Sequence, residues 1–243
     1  MTSTAATTRY ALITGANKGL GRETARQLGR LGMTVLIGAR DDERGERAAR
    51  ELREDGLDAR FLRLDVTDQA VVDRAAADIR REYGRLDVLI NNAGVVEADQ
   101  NPSETTVETT ERIYRTNVFG VIAVTHAVLP LLRAAGAGRV VNVSSRLGSL
   151  HKAADLAAPH RALLAYNSSK AALNSLTLHY AREFADTPLK FNSVTPGAVP
   201  TDLSCHQGNR TVEEGARVVV RLATLAADGP TGGFFDDHGP VAW

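Results

Sequence analysis

The chain has 243 residues, of which 43% are apolar and 24% are charged, and its formal net charge at neutral pH is zero. This length is enough to bury a sizeable core, and the balanced charge excludes the electrostatic surface of a nucleic-acid-binding or membrane-binding protein. A lone cysteine, Cys205, excludes an intrachain disulfide. Residues 1–9 lack the apolar core of a signal peptide, and the longest apolar stretch, 118–132, is too short and too polar to span a bilayer. We therefore expect a soluble cytoplasmic protein with neither a nucleic-acid nor a membrane partner.

Short apolar runs alternate with helical patterns along the chain. The runs predict six strands, at 11–14, 34–38, 60–64, 86–91, 139–143 and 189–194. The helical patterns lie between them, at about 20–31, 43–55, 69–83, 105–134 and 165–186. This alternation favours a parallel sheet covered by helices on both faces. We expect an α/β fold, a Rossmann-type doubly wound parallel sheet of about seven strands, in a single domain over residues 1–243 with residues 1–8 flexible.

The first strand leads into a glycine-rich turn, Thr14-Gly15-Ala16-Asn17-Lys18-Gly19-Leu20-Gly21, and an amphipathic helical pattern follows it. A dinucleotide-binding loop has this context, because the free N–H groups at the start of the helix face an anion. Glycine allows both the sharp turn and a close approach of the backbone to a pyrophosphate. The spacing G-x-x-x-G-x-G meets the general G-x-G-x-x-G fingerprint only approximately. An ordinary turn between a strand and a helix is the alternative.

Polar residues and glycines also follow the other predicted strands. Ligands of an open α/β sheet bind beyond the carboxyl ends of its strands, so residues at these ends share one edge. They are Ala39-Arg40, Asp65-Val66-Thr67, Asn91-Asn92-Ala93-Gly94, Ser144-Ser145 and Pro196-Gly197. The charged run at 41–47, by contrast, is interpreted mostly as a solvated helix face, with Glu46 and Arg50 paired across one turn.

The segment Tyr166-Asn167-Ser168-Ser169-Lys170 places a phenol and an ammonium four residues apart. Residues at this spacing share one face of a helix. A cation about 4.5 Å from the phenol would lower its pKa from about 10 by about 2–3 units. The phenol would then be able to transfer a proton to a carbonyl oxygen near neutral pH. A surface pair of tyrosine and lysine is the alternative.

Two further polar positions are candidates. Ser144-Ser145 directly follows the strand at 139–143, where a hydroxyl either donates a hydrogen bond to a substrate oxygen or merely ends the strand. Asn117 lies in a helical pattern although asparagine is a poor helix former, and a solvent-facing side chain is the ordinary explanation.

Taken together and in this order, the motifs resemble one family, the short-chain dehydrogenases/reductases that use a nicotinamide cofactor. The resemblance covers about residues 9–203. It implies one catalytic set, which is Asn117, Ser145, Tyr166 and Lys170. Ser145 is chosen over Ser144 because the family's serine follows the asparagine of Asn-x-x-Ser, here Asn142, by three positions.

The resemblance also implies cofactor contacts from the glycine loop, the strand ends and the catalytic helix. These are Gly15, Asn17, Lys18, Gly19, Leu20, Gly21, Arg40, Asp65, Val66, Asn92, Ala93, Gly94, Tyr166, Lys170, Pro196, Gly197, Val199 and Thr201. NAD users of this fold place an acid at the end of the second strand, where this chain has Ala39 followed by Arg40. Together with Lys18, Arg40 suits the 2′-phosphate of NADP(H), while Asp41 and Asp42 can point to solvent. We expect NADP(H), and we expect carbonyl reduction because cells usually keep that pool reduced.

The implied reaction reduces a ketone or aldehyde of a small molecule to an alcohol by hydride transfer. Ser145 and Tyr166 would hydrogen-bond the carbonyl oxygen, and Tyr166 would give the proton as general acid. Lys170 would hold the nicotinamide ribose and lower the pKa of Tyr166. Asn117 would anchor a water that links Lys170 to solvent.

Within the family, the loop at 15–21 and the segment 39–41 look most like the carbonyl reductases. The run at 229–235 also looks like bacterial members of that group and supplies a last strand. No metal is required by the implied reaction. Cys205 and His206 are adjacent but lack a second pair of ligands, and we interpret them as loop residues.

Tyr166 follows Ser145 by 21 positions, more than in many family members and fewer than in the monomeric carbonyl reductases. The extra segment at 151–161 would line the substrate mouth. Its histidines, His151 and His160, are interpreted as facing solvent, and contact with the substrate is the alternative. The segment would also alter how subunits pack, so a homodimer, a homotetramer and a monomer all stay open. The polar loop at 202–210, before helical residues resume near Val212, is short and suggests an open pocket that accepts several substrates.

Two other functions are weighed against this one. The protein could be a pathway-specific ketoreductase or alcohol dehydrogenase, which the sequence does not separate from a broad carbonyl reductase. It could instead be a non-catalytic NADP(H)-binding regulator. The intact set of catalytic residues argues against a regulator, because a pure binder has no need of Tyr166.

Overall fold

The computed structural model describes residues 8–97, 101–157, 163–202 and 208–243. Within these residues eight strands form one sheet, and they are Tyr10–Thr14 (β1), Thr34–Ala39 (β2), Ala59–Arg63 (β3), Val88–Asn91 (β4), Arg139–Val143 (β5), Lys190–Val194 (β6), Phe234–Asp236 (β7) and Gly239–Pro240 (β8). The α-helices in the same parts of the chain are Gly19–Arg30 (α1), Asp42–Glu54 (α2), Gln69–Tyr83 (α3), Val107–Tyr114 (α4), Gly120–Ala134 (α5), Leu150–Ala153 (α6), Leu164–Glu183 (α7) and Val212–Ala223 (α8).

The strands lie in the order β3-β2-β1-β4-β5-β6-β7-β8. Neighbours from β3 to β7 are parallel, and β8 pairs antiparallel with β7. The chain winds outward in both directions from the β1–β4 pair, which confirms the predicted doubly wound α/β sheet. The described chain has eight strands where about seven were predicted. The additional strand is β8, which forms because an Asp236 carboxylate oxygen accepts the backbone N–H groups of His238 and Gly239 and closes a tight turn.

The register brings the carboxyl ends of the central strands level with one another. Thr14 of β1 lies opposite Gly38 of β2, and Asn91 of β4 lies opposite Asn142 of β5. Val143, the last residue of β5, lies opposite Val194 of β6. The residues that follow these strands therefore emerge at one edge of the sheet, as the sequence predicts.

Helices cover both faces of the sheet because successive strand residues point to opposite sides. On one side, Ala11 and Ile13 pack with apolar residues of α1, α2 and α8. On the other side, Leu12 packs with apolar residues of α3, α5 and α7. The buried strands are apolar on both sides, which explains their continuous apolar sequence pattern.

The helical pattern predicted over 105–134 is one helix from Val107 to Ala134 with a π turn, Arg115–Phe119, in its middle. It spans 28 residues and is long and apolar enough to cross a bilayer by length and composition, although the apolar stretch 118–132 alone was predicted to be too short. Half of its most apolar part is buried inside the fold.

The predicted pairing of Glu46 with Arg50 is wrong. Glu46 Oε1 instead lies 2.6 Å from Arg53 Nη2, two turns further along α2. Arg53 is held in that direction because its other terminal nitrogen donates to the carbonyl of Ala59 at 3.0 Å. Arg50 itself is exposed. This face of α2 is therefore solvated as predicted, but Glu46 pairs with Arg53 rather than with Arg50.

Several sequence predictions fall outside the described residues. They are the flexibility of residues 1–7, the loop role of Cys205 and His206, and the solvent-facing orientation of His160. The predicted substrate-mouth segment at 151–161 is described through residue 157, and the polar loop at 202–210 is described at residue 202 and at 208–210.

Candidate active site

Helix α1 begins without a side-chain cap. Within the described chain, its N-cap residue Lys18 makes no capping hydrogen bond, and its first turn contains no acidic residue. The N-termini of α2, α3 and α8 are capped by the side chains of Asp41, Asp68 and Thr211. The first N–H groups of α1 can therefore bind an anion, and the helix dipole favours a negative charge at this end.

Gly15 lies where the turn before α1 meets the end of β4. Its φ is +64°, and a Cβ there would lie 3.0 Å from the Cα of Ala93, so only glycine fits. Asn92 Nδ2 donates to the carbonyls of Thr14 and Gly15 at 2.8 and 3.2 Å. Thr14 Oγ1 accepts the backbone N–H groups of Asn92 and Ala93 at 3.0 and 2.9 Å. These bonds fix the glycine loop against β4, and Thr14 has a positioning role that the motif alone does not assign.

The other glycine-loop residues lie along the same turn. Asn17 is half-buried in it, and Leu20 packs onto the core below α1. Gly21 is buried, so α1 approaches the loop closely, and a Cβ at Gly21 would lie 2.8 Å from the Gly15 carbonyl oxygen. A Cβ at Gly19 would lie 3.4 Å from the Thr201 methyl group, which places the loop after β6 over the start of α1.

Ser144 and Ser145 leave β5 in different directions. Ser144 is 3% exposed, and its hydroxyl donates to the carbonyl of Lys170 at 3.4 Å. Ser145 is half-buried, and its Oγ accepts the backbone N–H of Leu147 at 3.2 Å. We call residues 144–153 the serine segment. Its outward-facing hydroxyl is that of Ser145, the residue that the resemblance selects.

Tyr166 and Lys170 are neighbours on α7, as their spacing predicts. Lys170 Nζ lies 5.7 Å from the centre of the Tyr166 ring, and it donates to the carbonyl of Val143, the last residue of β5, at 2.8 Å. Both side chains are buried, with 6% of Tyr166 and 4% of Lys170 exposed. Burial lowers the pKa of Lys170 from 10.5 to about 8, because the charged form loses hydration.

Asn117 lies in the π turn and is buried rather than facing solvent. Its Oδ1 accepts the backbone N–H of Val95 at 2.9 Å, and its Nδ2 donates to the Val95 carbonyl at 2.9 Å and to Ser169 Oγ at 3.0 Å. Ser169 Oγ in turn donates to the carbonyl of Tyr166 at 2.7 Å. Sequence reasoning missed Ser169 and Val95, although a buried asparagine in a helix signals that its amide has specific partners.

The backbone of Gly94 lies between Asn117 and Lys170. A Cβ there would lie 3.5 Å from Asn117 Oδ1 and 3.6 Å from Lys170 Nζ. The two polar atoms therefore face the same small space. Asn91, the first residue of the segment Asn91-Asn92-Ala93-Gly94, reaches across to β5, where its Nδ2 donates to Asn142 Oδ1 at 2.9 Å.

The residues after β2 determine the charge where the adenosine part of the cofactor is predicted to bind. Arg40 is exposed, and among the described residues no acid forms an ion pair with it. Asp41 pairs with Arg44 at 3.0 Å, while Asp42 pairs with Arg63 at 2.5 Å. Both carboxylates are therefore engaged by cations other than Arg40.

Two other predicted contacts of the cofactor lie near this end of the site. Lys18 forms an ion pair with Asp202, across the opening between the glycine loop and the loop after β6. Asp65 accepts the backbone N–H and the hydroxyl of Thr67 at 2.9 and 2.7 Å, which orders the turn after β3. Val66 packs against α5, because a Cβ at Gly120 would lie 2.8 Å from Val66 Cγ2.

The loop after β6, residues 195–202, carries the remaining predicted contacts, and we call it the β6 loop. Gly197 has a φ of +79°, which favours glycine. Pro196 is half-buried and Val199 is buried. The described geometry thus brings all the predicted site residues to one edge of the sheet. A separate cavity of about 270 Å³ lies at the β3 edge between α2 and α3, and none of the predicted site residues lines it.

A doubly wound sheet, an uncapped glycine-rich helix start and a buried lysine beside a tyrosine at the strand ends define a dinucleotide-binding oxidoreductase. The chain belongs to the short-chain dehydrogenases, because the family model described as short chain dehydrogenase matches residues 9–223. The resemblance found in the sequence is thereby confirmed. Members of the family use nicotinamide cofactors and act on small-molecule carbonyl substrates.

Individual relatives are similar over nearly their whole length. Short-chain dehydrogenase/reductase 1 of Saponaria officinalis is 35% identical, with 93% of both chains covered. Carbonyl reductase [NADPH] 1 of Bos taurus is 34% identical, covering 96% of this chain and 98% of the bovine one. The crystal structure of NADPH-bound carbonyl reductase from chicken fatty liver superposes with a TM-score of 0.86 at 27% identity, covering 97% of this chain and 99% of that one.

Proposed function

We propose that this chain is an NADPH-dependent oxidoreductase that reduces a ketone or aldehyde carbonyl to an alcohol, with Tyr166 as general acid. The observation that carries the proposal is the buried ammonium of Lys170 beside the Tyr166 ring, at the edge where the glycine loop and Ser145 also lie. A buried cation next to a phenol favours release of the phenolic proton. The names of the bovine relative and of the chicken structure, both of which include NADPH, point the same way.

The residues present fit a dinucleotide phosphate. The uncapped start of α1 offers N–H groups to the pyrophosphate, and the missing side chain at Gly15 lets the backbone approach it. Arg40, which no described acid engages, would bind the 2′-phosphate. Lys18 would contribute less, because Asp202 already pairs with it.

The bound cofactor supplies the hydride to the carbonyl carbon. The chain's own residues then act on the carbonyl oxygen: the hydroxyl of Ser145 donates a hydrogen bond to it, and Tyr166 donates a hydrogen bond and then its proton. Lys170, fixed by the Val143 carbonyl, stabilises the phenolate that Tyr166 becomes and donates to the nicotinamide ribose.

Asn117 would complete the proton supply. Its Oδ1 and the Lys170 ammonium face one small space beside Gly94, which suits a water that bridges the two groups and leads to solvent. Val95 and Ser169 hold the amide of Asn117 in one orientation. Its Oδ1 would therefore already point toward this water before the water binds.

The proposal is tested by following the loss of NADPH absorbance with a panel of ketones, aldehydes and quinones, for the wild type and Tyr166→Phe, with NADH in parallel. We expect turnover with NADPH in the wild type and its loss in Tyr166→Phe, with the NADPH Kd little changed. The matched control is Tyr180→Phe, a second tyrosine of α7 that stacks on Phe191 in the core.

Other outcomes would contradict parts of the proposal. No turnover, with micromolar NADPH binding to both proteins, would favour a non-catalytic NADP(H)-binding regulator. A preference for NADH would contradict the role of Arg40. Turnover of only one narrow structural class of carbonyl would favour a pathway-specific ketoreductase.

A further inference from the structure

The turn between β7 and β8 carries two adjacent aspartates, Asp236 and Asp237. Their side chains are only 9% and 20% exposed, and each forms an ion pair with an arginine of a different loop. Arg221 of α8 donates to the backbone carbonyls of both aspartates, at 2.5 and 3.2 Å. The turn is thus anchored to α8, while its two carboxylates reach in separate directions.

Asp236 holds the serine segment. It pairs with Arg146, the residue that directly follows Ser145. The far end of the segment is held separately, because Ser149 Oγ donates to the carbonyl of Ala242 at 2.8 Å. The ion pair of Arg146 therefore ties the turn between β7 and β8 to the residue next to Ser145.

Asp237 holds the β6 loop. It pairs with Arg210, which donates to the carbonyl of Pro196 at 3.1 Å. The arginine side chain lies directly over Gly197, since a Cβ at Gly197 would lie 2.9 Å from Arg210 Cδ. Arg210 also donates to the carbonyl of Glu214 at 3.2 Å, so its guanidinium is held between the β6 loop, α8 and Asp237.

We propose that Asp236 and Asp237 are positioning residues for the two sides of the active site. Asp236, through Arg146, sets the serine segment that binds the carbonyl, and Asp237, through Arg210, sets the β6 loop that faces the nicotinamide. The inference rests on the proposed function for the role of Ser145. For the β6 loop it rests on the family resemblance, which implies that Pro196-Gly197 and Thr201 lie around the nicotinamide carboxamide. Two neighbouring carboxylates on one rigid turn would keep the two sides in a constant relation to each other.

The test compares Asp236→Asn with Asp237→Asn, and Asp228→Asn, an exposed carboxylate before β7, serves as the matched control. Four quantities are measured: the Kd of NADPH, the Kd of 2′,5′-ADP, the steady-state constants for one ketone at saturating NADPH, and backbone hydrogen exchange. The fragment 2′,5′-ADP lacks the nicotinamide, so it reports the adenosine end alone.

We expect a reciprocal pattern. Asp237→Asn should raise the NADPH Kd about tenfold and leave the 2′,5′-ADP Kd unchanged, with faster exchange in the β6 loop. Asp236→Asn should leave the NADPH Kd within about twofold and lower kcat/KM for the ketone about tenfold, with faster exchange in the serine segment. The proposal is wrong if both variants change the NADPH Kd and kcat/KM to the same extent. It is also wrong if neither variant differs from Asp228→Asn.

Double variants provide the test if a single variant folds poorly, and NADPH binding and hydrogen exchange provide it if the proposed function is wrong. The neutral pairs Arg146→Gln/Asp236→Asn and Arg210→Gln/Asp237→Asn remove each charge together with its partner, and they should show the same reciprocal pattern. A wild type that binds NADPH but reduces no carbonyl contradicts the proposed function. The exchange and NADPH-binding patterns of the variants would then still confirm or contradict the roles of the two aspartates.

Discussion

Two buried cations lie at the two ends of β5, and they differ in how their donors are used. Arg139 is the first residue of the strand, and Lys170 donates to the carbonyl of Val143, the last residue. They are 6% and 4% exposed, and neither has an acidic partner among the described residues. Burial lowers the pKa of both side chains, that of Lys170 to about 8.

All three guanidinium nitrogens of Arg139 donate to backbone carbonyls. At 2.8 to 3.1 Å they meet those of Ala137, Gly138, Pro188, Leu225 and Ala226. Lys170 has three N–H donors, and within the described residues one of them meets a protein acceptor. A buried cation whose nitrogens all donate to the backbone holds chain segments together, whereas one with two of three donors to spare can bind a ligand. The difference supports the role in the active site that we propose for Lys170, and it indicates a role in stability for Arg139.

Replacing each cation by methionine should have opposite effects on activity and on stability. Lys170→Met should lower kcat/KM about 10³-fold, because the general acid and the ribose lose their cation. Its free energy of unfolding should be unchanged or higher, since a buried charge is removed. Arg139→Met should lower the free energy of unfolding by at least about 3 kcal/mol, because it leaves several buried carbonyls unpaired, and it should keep kcat/KM per folded molecule.

Urea unfolding and steady-state kinetics on the two variants measure both effects. A loss of stability in Lys170→Met as large as that in Arg139→Met would mean that Lys170 is also a structural cation.

The pH dependence of cofactor binding is a second test of the functional role of Lys170. Lys170 is cationic below its pKa of about 8 and neutral above it. An ammonium donates stronger hydrogen bonds to ribose hydroxyls than an amine does, so affinity is present at low pH and lost as pH rises through 8. The NADPH Kd should rise about tenfold between pH 7 and pH 9.5. Titration calorimetry on Tyr166→Phe isolates Lys170 from the phenol, and a flat profile there would contradict the assignment.

The distinction between engaged and available cations extends to the adenosine end. Arg40 has no acidic partner among the described residues, whereas Lys18 pairs with Asp202. Arg40→Gln should therefore raise the NADPH Kd about tenfold, and Lys18→Gln only about two- to threefold. Neither substitution should change the NADH Kd, because NADH has no 2′-phosphate. Equal increases of the NADPH Kd in the two variants would show that the ion pair with Asp202 does not reduce the contribution of Lys18 to NADPH binding.

The site could largely be located from the sequence because its residues follow strands directly. A parallel sheet brings every carboxyl end to one edge, so a local motif such as Ser144-Ser145 indicates a three-dimensional position. The same logic placed Tyr166 beside Lys170, since four positions make one helical turn. The assigned roles of these residues, and the cytoplasmic location inferred from composition, remain predictions.

Contacts between distant segments could not be predicted in this way. Arg146 and Asp236 are 90 positions apart, and no periodicity relates them. The π turn at Arg115–Phe119 was also missed, because one extra residue in a helical turn leaves the apolar pattern nearly unchanged. Asn117 was the visible irregularity there, and its burial shows that a solvent-facing side chain was the wrong explanation.

Two adjacent serines of α7 should differ slightly in their effect on kcat. Ser169 contacts Asn117, whereas Ser168 does not. Ser169 Oγ accepts from Asn117 and donates to the carbonyl of Tyr166, whereas within the described residues Ser168 Oγ donates to the carbonyl of Ala165 alone, at 3.2 Å. Ser169→Ala should lower kcat about threefold, because the Asn117 amide keeps Val95 and loses its second acceptor.

Ser168→Ala is the matched control, since it removes the same hydroxyl from the same helix turn without reaching Asn117. Its kcat should equal that of the wild type. If Ser169→Ala acts through the proton supply, the loss in kcat should be larger in D2O than in H2O, because proton movement then limits more of the turnover. A loss that is identical in the two solvents would leave Ser169 with a role in packing alone, and it would remove the link between the π turn and the tyrosine.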